Sequence, residues 1–184
     1  MYLEQFILNK SQKILRIMDF APNTVFANNM KARNKVSYTS ADFNRLDYDI
    51  KVDITNMPEV KSDSYDVLIC SHILEHVTSP SLALREIYRV LKNGGIAIIM
   101  VPLFWDVQET VEDLSTTSDE QRLRLFGQDD HVRLFSKKDF LQLISSAGFA
   151  VHTYTPDNFS PNLISENAIS DNSILYACVK ESIY

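Results

Sequence analysis

Ser64-Tyr-Asp-Val-Leu-Ile-Cys70, running on into Ser71-His-Ile-Leu-Glu-His76, is the stretch that decides how this chain folds. Residues 64–70 carry the continuous apolar run of a strand covered on both faces. Just beyond, Ser79-Pro80 opens a helix as N-cap and first turn, with Leu84, Ile87 and Leu91 as its buried stripe. Gly94-Gly95 stops that helix, and Ile96-Ala-Ile-Ile-Met-Val101 reads as a further buried strand. Strand, helix and strand in this order indicate an α/β sheet with helices on both faces.

The same alternation extends outward. Upstream, residues 13–20 read as a strand ended by the turn Ala21-Pro22-Asn23, and residues 24–33 as a helix. Val36-Ser-Tyr-Thr-Ser40 is a second strand closed by Ala41-Asp42, and residues 49–53 a short third one. A leading helix falls in residues 2–12. Downstream, residues 102–117 read as a loop or short helical insert, 118–126 and 136–147 as helices. Ser136 caps the second of these and Gly148 terminates it. Strands at 149–155 and 174–180 follow, joined by the polar segment 156–173. There is no internal repeat and no low-complexity segment.

The 184 residues fit one domain, 1–184, with a substrate-side insert at 103–130. Hydrophobic residues make up 45% and charged residues 23%, which excludes disordered, collagen-like and disulfide-scaffold classes. A net charge of −6 argues against broad electrostatic binding to nucleic acid or to an anionic membrane. Cys70 and Cys178 sit inside apolar runs and read as buried small hydrophobes rather than a redox pair. No apolar stretch reaches the ~20 residues of a membrane span. The N-terminus lacks the basic start and cleavage site of a signal peptide, so the expected location is the cytoplasm.

Open α/β sheets bind ligands beyond the carboxyl ends of their strands, at the topological switch point. Here the first strand ends in Asp19, the second in Asp42 and the third in Asp53, and the fourth runs into residues 71–76. Three carboxylates at successive strand tips suit a ligand with hydroxyls and an amine. An aspartate in such a place also serves as a helix cap or an Asx turn, and both readings stand for each.

From these residues outward the chain resembles the class I S-adenosylmethionine-dependent methyltransferases, of the type 11-like kind that includes ubiquinone-pathway and small-molecule enzymes. The resemblance rests on residues 53–76, from Asp53 through Met57-Pro58 and the Asp66-Val67 strand to Leu74-Glu-His76. It continues in Arg89-Val-Leu-Lys-Asn-Gly-Gly95, His131-Val-Arg-Leu-Phe-Ser136 and Ala147-Gly-Phe149, covering about residues 13–155. It implies a three-layer Rossmann-like fold whose seven-stranded, mostly parallel sheet has the order 3-2-1-4-5-7-6, the last strand antiparallel. It implies S-adenosylmethionine as cofactor and S-adenosylhomocysteine as product. By position, Asp42 holds the ribose hydroxyls, Asp53 with the backbone of Ile54 meets the adenine amine, and Ser71 lines the methionine moiety. Asp19 and Ala21 belong to the first turn, where the family usually carries Gly-x-Gly. Here Ala21 and Asn23 stand at the glycine positions, and the whole chain has only 4 glycines.

Methyl transfer from a sulfonium asks the protein for alignment, exclusion of water and, for a hydroxyl acceptor, a base. His131 and His72 are the candidate bases. His72, Glu75 and His76 stand at i, i+3 and i+4, one face of a helix. A Glu-x-x-Glu-His at this position binds a divalent ion in some ubiquinone-pathway and small-RNA methyltransferases. On that resemblance His72, Glu75, His76 and His131 are metal candidates, whereas Leu-Glu-His is also common in the superfamily without metal, which is the expectation here. His152 reads as structural. Residues 105–130 are the expected source of substrate contacts, with Phe104, Trp105 and Phe126 as an aromatic wall or as core, and the acids between Asp106 and Glu120 as a solvated face. The expected acceptor is an O or N atom of a small molecule or glycan precursor, with a homodimer as the candidate assembly. The competing expectation is a catalytically idle cofactor-binding or interaction domain of the same fold. A nicotinamide dehydrogenase would need a Gly-x-Gly-x-x-Gly that the chain lacks.

Overall fold

A computed structural model describes residues 2–103, 107–166, 169–170 and 173–181. In chain order it runs through a short π-helical turn (Leu3–Ile7), β1 (Leu15–Phe20), α1 (Thr24–Lys31), β2 (Val36–Asp42), β3 (Ile50–Lys51) and β4 (Tyr65–Ser71). Then come α2 (Pro80–Val90), β5 (Leu91–Met100), β6 (Val111–Glu112), α3 (Asp119–Phe126) and β7 (Arg133–Leu134). α4 (Lys137–Ser146), β8 (Ala150–Tyr154), α5 (Pro161–Glu166) and β9 (Leu175–Val179) complete the chain.

Seven strands form one sheet in the order β3-β2-β1-β4-β5-β9-β8. β9 runs antiparallel to both of its neighbours, and the other pairings are parallel. With the separate two-stranded antiparallel pair β6–β7 set aside, this is the expected topology. Side chains alternate between the two faces of a strand, and the sequence honours that parity. Met18, Phe20, Leu68, Cys70, Ala97 and Ile99 face α2 and α4. Leu15, Ile17, Val67, Ile69 and Ile98 face the N-terminal turn and α1. Both cysteines are buried and free, and burial pushes the Cys178 thiol up to about 12, so neither is poised as a nucleophile.

Several elements depart from the sequence expectation. α2 stops at Val90, and β5 begins at Leu91 and runs straight through Gly94-Gly95. The glycines therefore do not end the helix: Gly94 takes φ +75 inside the strand, and a Cβ on Gly95 would lie 2.7 Å from the Lys92 carbonyl. Lys180 closes this end of the sheet, its Nζ donating to the Leu91 carbonyl at 2.7 Å and to Asp63 at 2.8 Å. The third strand shrinks to Ile50–Lys51, and the leading helix to a π turn followed by a 3₁₀ turn. Residues 102–117, expected as loop or helix, contribute strand β6, and 156–173 contains α5. Phe126 is 1% exposed and belongs to the core, while Phe104, Trp105 and Asp106 lie outside the described residues. The described acids of this segment stay at the surface, Glu109, Glu112, Asp119 and Glu120 exposed and Asp113 half-buried, while Glu112 also binds Arg133 and Asp113 accepts from Ser115 and Thr116.

Candidate functional site

The main cavity, about 600 Å³, opens where β1, β2 and β4 end. Its wall includes Ala21, Asp42, Asp53, Ile54, His72 and His76. Four of the six residues expected at the cofactor thus converge. Asp19 and Ser71 do not reach the lining.

The first turn survives without glycine. Ala21 adopts φ +46, the left-handed conformation that a Gly would take without strain. Its N–H is fixed on the Ala41 carbonyl at 2.8 Å. Asn23 caps α1, its Oδ1 accepting from the Val25 N–H at 2.9 Å and the Phe26 N–H at 3.4 Å. Two residues before Ala21, the Asp19 carboxyl is 3% exposed and accepts the Tyr38 hydroxyl at 2.6 Å. Burial raises it to about 7, against the lowering effect of the Tyr38 hydrogen bond. Asp19 is therefore a buried brace under the turn.

Asp42 and Asp53 combine both readings offered by the sequence. Asp42 Oδ1 accepts from the Asn44 and Arg45 backbone N–H groups at 2.7 and 2.8 Å, an Asx turn on the cavity wall. Asp53 Oδ1 accepts from the Thr55 N–H and hydroxyl, both at 2.8 Å. Among the described residues nothing bonds the Oδ2 of either, so each keeps one oxygen for a ligand. Phe43, 60% exposed, adds an apolar ring at the mouth of the cavity. The sequence reading passed over it, although its place next to Asp42 was the available signal.

The His72–Thr78 loop forms the other wall. His72 takes φ +56, and its side chain lies 61% exposed at the rim, with Nδ1 3.2 Å from Glu75 Oε1. His131 is 5% exposed and sits behind His76, the rings edge-on with centroids 4.7 Å apart. Of the two candidate bases, His72 reaches the cavity and His131 does not. Glu75, His76 and His131 bring ligand atoms within 4.8 Å of one another. Glu75 Oε2 and His131 Nδ1 are buried without a hydrogen-bond partner among the described residues, which is costly for polar atoms at that depth. A carboxylate and two imidazoles so arranged suit a transition-metal ion.

Arg133, unremarked in the alternating run Val132-Arg-Leu134, holds this loop in place. Its fully buried guanidinium donates to the carbonyls of Leu74 at 2.7 Å, Val77, and Thr78 at 3.3 Å, and to Glu112 at 2.6 Å. The Val132 N–H adds a bond to the Glu75 carbonyl at 3.1 Å. Of the segment expected to contact substrate, only Asp130 lines the cavity among the described residues.

Comparison with known proteins bears on the family and the fold. Residues 3–154 match the family model of the methyltransferase domain. A ubiquinone biosynthesis O-methyltransferase from Pseudomonas savastanoi pv. phaseolicola is 45% identical over 40 residues. That match takes in 22% of this chain and 17% of the curated relative's length. Among solved structures, a putative methyltransferase from Bacillus halodurans superposes with TM-score 0.57 at 15% identity, covering 94% of this chain and 95% of that one. Phosphoethanolamine N-methyltransferase 2 of Haemonchus contortus, solved with S-adenosylhomocysteine, gives TM-score 0.59 at 17% identity over 94% of this chain and 50% of that one. The [4+2]-cyclase SpnF reaches 0.64 at 15% identity, covering 99% and 79%, so the shared fold alone does not name a reaction. With the family model spanning most of its length, the chain belongs to the methyltransferase domain family.

Proposed function

We propose that this chain is an S-adenosylmethionine-dependent methyltransferase acting on an O or N atom of a small molecule. The observation that carries the reading is the convergence of the left-handed Ala21 turn, Asp42, Asp53 and Ile54 on one cavity at the strand ends. The residues fit the cofactor: the free Asp42 oxygen suits a ribose diol, and Asp53 with the Ile54 backbone suits an adenine amine. Phe43 offers that ring an apolar face, and the Ala21 turn exposes backbone to the amino-acid end. When bound, S-adenosylmethionine supplies a methyl group on a positively charged sulfur. Held by the Ala21 turn, Asp42, Asp53 and Ile54, it would supply that methyl to an acceptor oxygen or nitrogen, the C–S electron pair staying on sulfur. The acceptor's proton passes to solvent or to His72, whose imidazole stands at the rim. The chain's own contribution is alignment and exclusion of water.

The test is methyl transfer from labelled S-adenosylmethionine to a panel of neutral phenols, amines and sugar precursors. Accumulation of S-adenosylhomocysteine above the protein-free rate supports the enzyme. Cofactor binding without turnover on any acceptor supports the idle-domain alternative instead.

The orphaned Glu75 and His131 atoms favour a second reading, in which Glu75, His76 and His131 hold a divalent transition metal beside the cavity. Protein purified without chelator should then carry about one equivalent of metal, lost in His76→Ala. Metal-free, fully folded wild type would end that reading.

A further inference from the structure

A second cavity, about 400 Å³, lies on the face of the sheet opposite α2 and α4. Its floor is Ile69, Ile98 and Met100, and Tyr2, Tyr154 and Phe159 wall it. The aromatic side chains pack edge-on rather than collapsing into the space: the Tyr2 and Tyr154 centroids are 4.7 Å apart at 64°. Among the described residues no Asp, Glu, Lys, Arg or His lines it, and its polar groups are the hydroxyls of Tyr2, Tyr154, Thr155 and Ser173. Burial, aided by the neighbouring Tyr154 hydroxyl, holds the Tyr2 phenol well above its ordinary range, so the walls stay neutral. A volume of this size and lining matches small-molecule sites rather than the water-sized voids of a packed core.

A backbone hydrogen bond ties it to the main cavity. Ile69 precedes Ser71 by two residues on the same face of β4, and His72, on the wall of the main cavity, donates its N–H to the Met100 carbonyl at 2.9 Å. Ala21 lines the main cavity, and Phe26, in the first turn of the helix that follows it, lines the second. The ends of β4 and the α1 turn are where the amino-acid end of the cofactor falls in the function proposed above.

We propose that this second cavity is the methyl-acceptor site, and that it takes a neutral, apolar aromatic molecule of one or two rings. The inference rests on the methyltransferase reading and narrows it. A charged acceptor would bury its charge against Ile69, Ile98 and Met100 with no opposite charge among the described lining residues, whereas a flat apolar ring fills the space and meets the aromatic edges. The insert at 103–130, expected to contact substrate, contributes no described residue to this lining.

The experiment uses the whole chain with methionine methyl groups labelled for NMR, titrated separately with 1-naphthol, 1-naphthalenesulfonate and S-adenosylhomocysteine. 1-Naphthol should shift the Met100 signal and leave Met57 unmoved, with the sulfonate at least roughly tenfold weaker. Leu175→Trp, which fills the cavity from β9, should weaken 1-naphthol at least about tenfold while S-adenosylhomocysteine still binds. Should that variant misfold, Ile98→Phe does the same from the floor, and the Met100 shift in wild type needs no variant. S-adenosylhomocysteine binding with no Met100 response to millimolar 1-naphthol overturns the inference and leaves the methyltransferase reading standing. Equal response to the sulfonate overturns the neutral-ligand claim. A Met100 response without S-adenosylhomocysteine binding overturns the methyltransferase reading, and the acceptor role with it.

Discussion

Asp42 gives the sharpest test of the cofactor site, because its two oxygens have separable jobs. Oδ1 holds the Asn44 and Arg45 N–H groups, and Oδ2 is left for a ribose diol. Replacing Asp42 with Ala removes both. Losing the turn bonds costs about 1 kcal/mol of stability, as for a helix cap, or a fall of about 2–4 °C in Tm for a chain of this size. Losing a charged acceptor for the ribose hydroxyls costs about 1.5–3 kcal/mol of binding, which is about 10- to 150-fold in Kd. Asp42→Asn separates the two effects, since its amide oxygen keeps the turn while the charge disappears. The Asn variant should melt close to wild type and still bind S-adenosylhomocysteine at least several-fold more weakly by calorimetry. If Asp42→Asn and Asp42→Ala both bind within twofold of wild type, Asp42 does not hold the ribose and the assignment is wrong.

Ala21→Gly should stabilise the chain by about 0.5–1 kcal/mol in urea unfolding, because a left-handed alanine costs about 1–2 kcal/mol and glycine's extra backbone entropy returns only part of that. A destabilised Gly variant would contradict the strained-turn account. Arg133→Met should cost at least about 3 kcal/mol by stranding the buried carbonyls of Leu74, Val77 and Thr78, whereas Glu112→Gln, at a half-exposed partner, should cost under about 1 kcal/mol; similar losses would place the energy in the ion pair instead. Asp19→Asn tests the buried brace through pH. The folded carboxyl is raised to about 7 from 3.8 unfolded, so the folded state holds an extra proton between those values. The wild type therefore gains stability from this group as pH falls from 8 towards 4, on the order of 2–4 kcal/mol. Relative to wild type, Asp19→Asn should melt higher at pH 8 and lose that advantage by pH 5. A pH-independent difference would show that Asp19 ionises normally.

The sheet was legible because its strands carry their burial in the sequence. The run Tyr65–Ser71 is apolar enough to be covered on both faces, and the order of elements then leaves few topologies. Gly94-Gly95 misled, since a Gly pair after a helix reads as a stop, and only tertiary pairing with Lys180 shows that it lies within β5. β3 was over-read for the opposite reason: residues 49–53 alternate, yet Asp49 turns to accept from Ser40 and leaves two paired residues. At the site, carboxylates at strand tips announced themselves by position. Arg133 and the second cavity did not, because each is made by segments far apart in the chain. Arg133 reaches 59 residues back to Leu74, and the cavity joins Tyr2 to Leu175. Nothing in local spacing encodes such contacts.

The most direct measurement is calorimetric titration of the wild-type chain with S-adenosylhomocysteine. One-to-one binding in the micromolar range is the predicted result, showing that a turn built on Ala21 and Asn23 accepts the cofactor without the usual glycines. No heat with millimolar ligand and well-folded protein would contradict the cofactor site at the strand ends, and the methyltransferase reading with it.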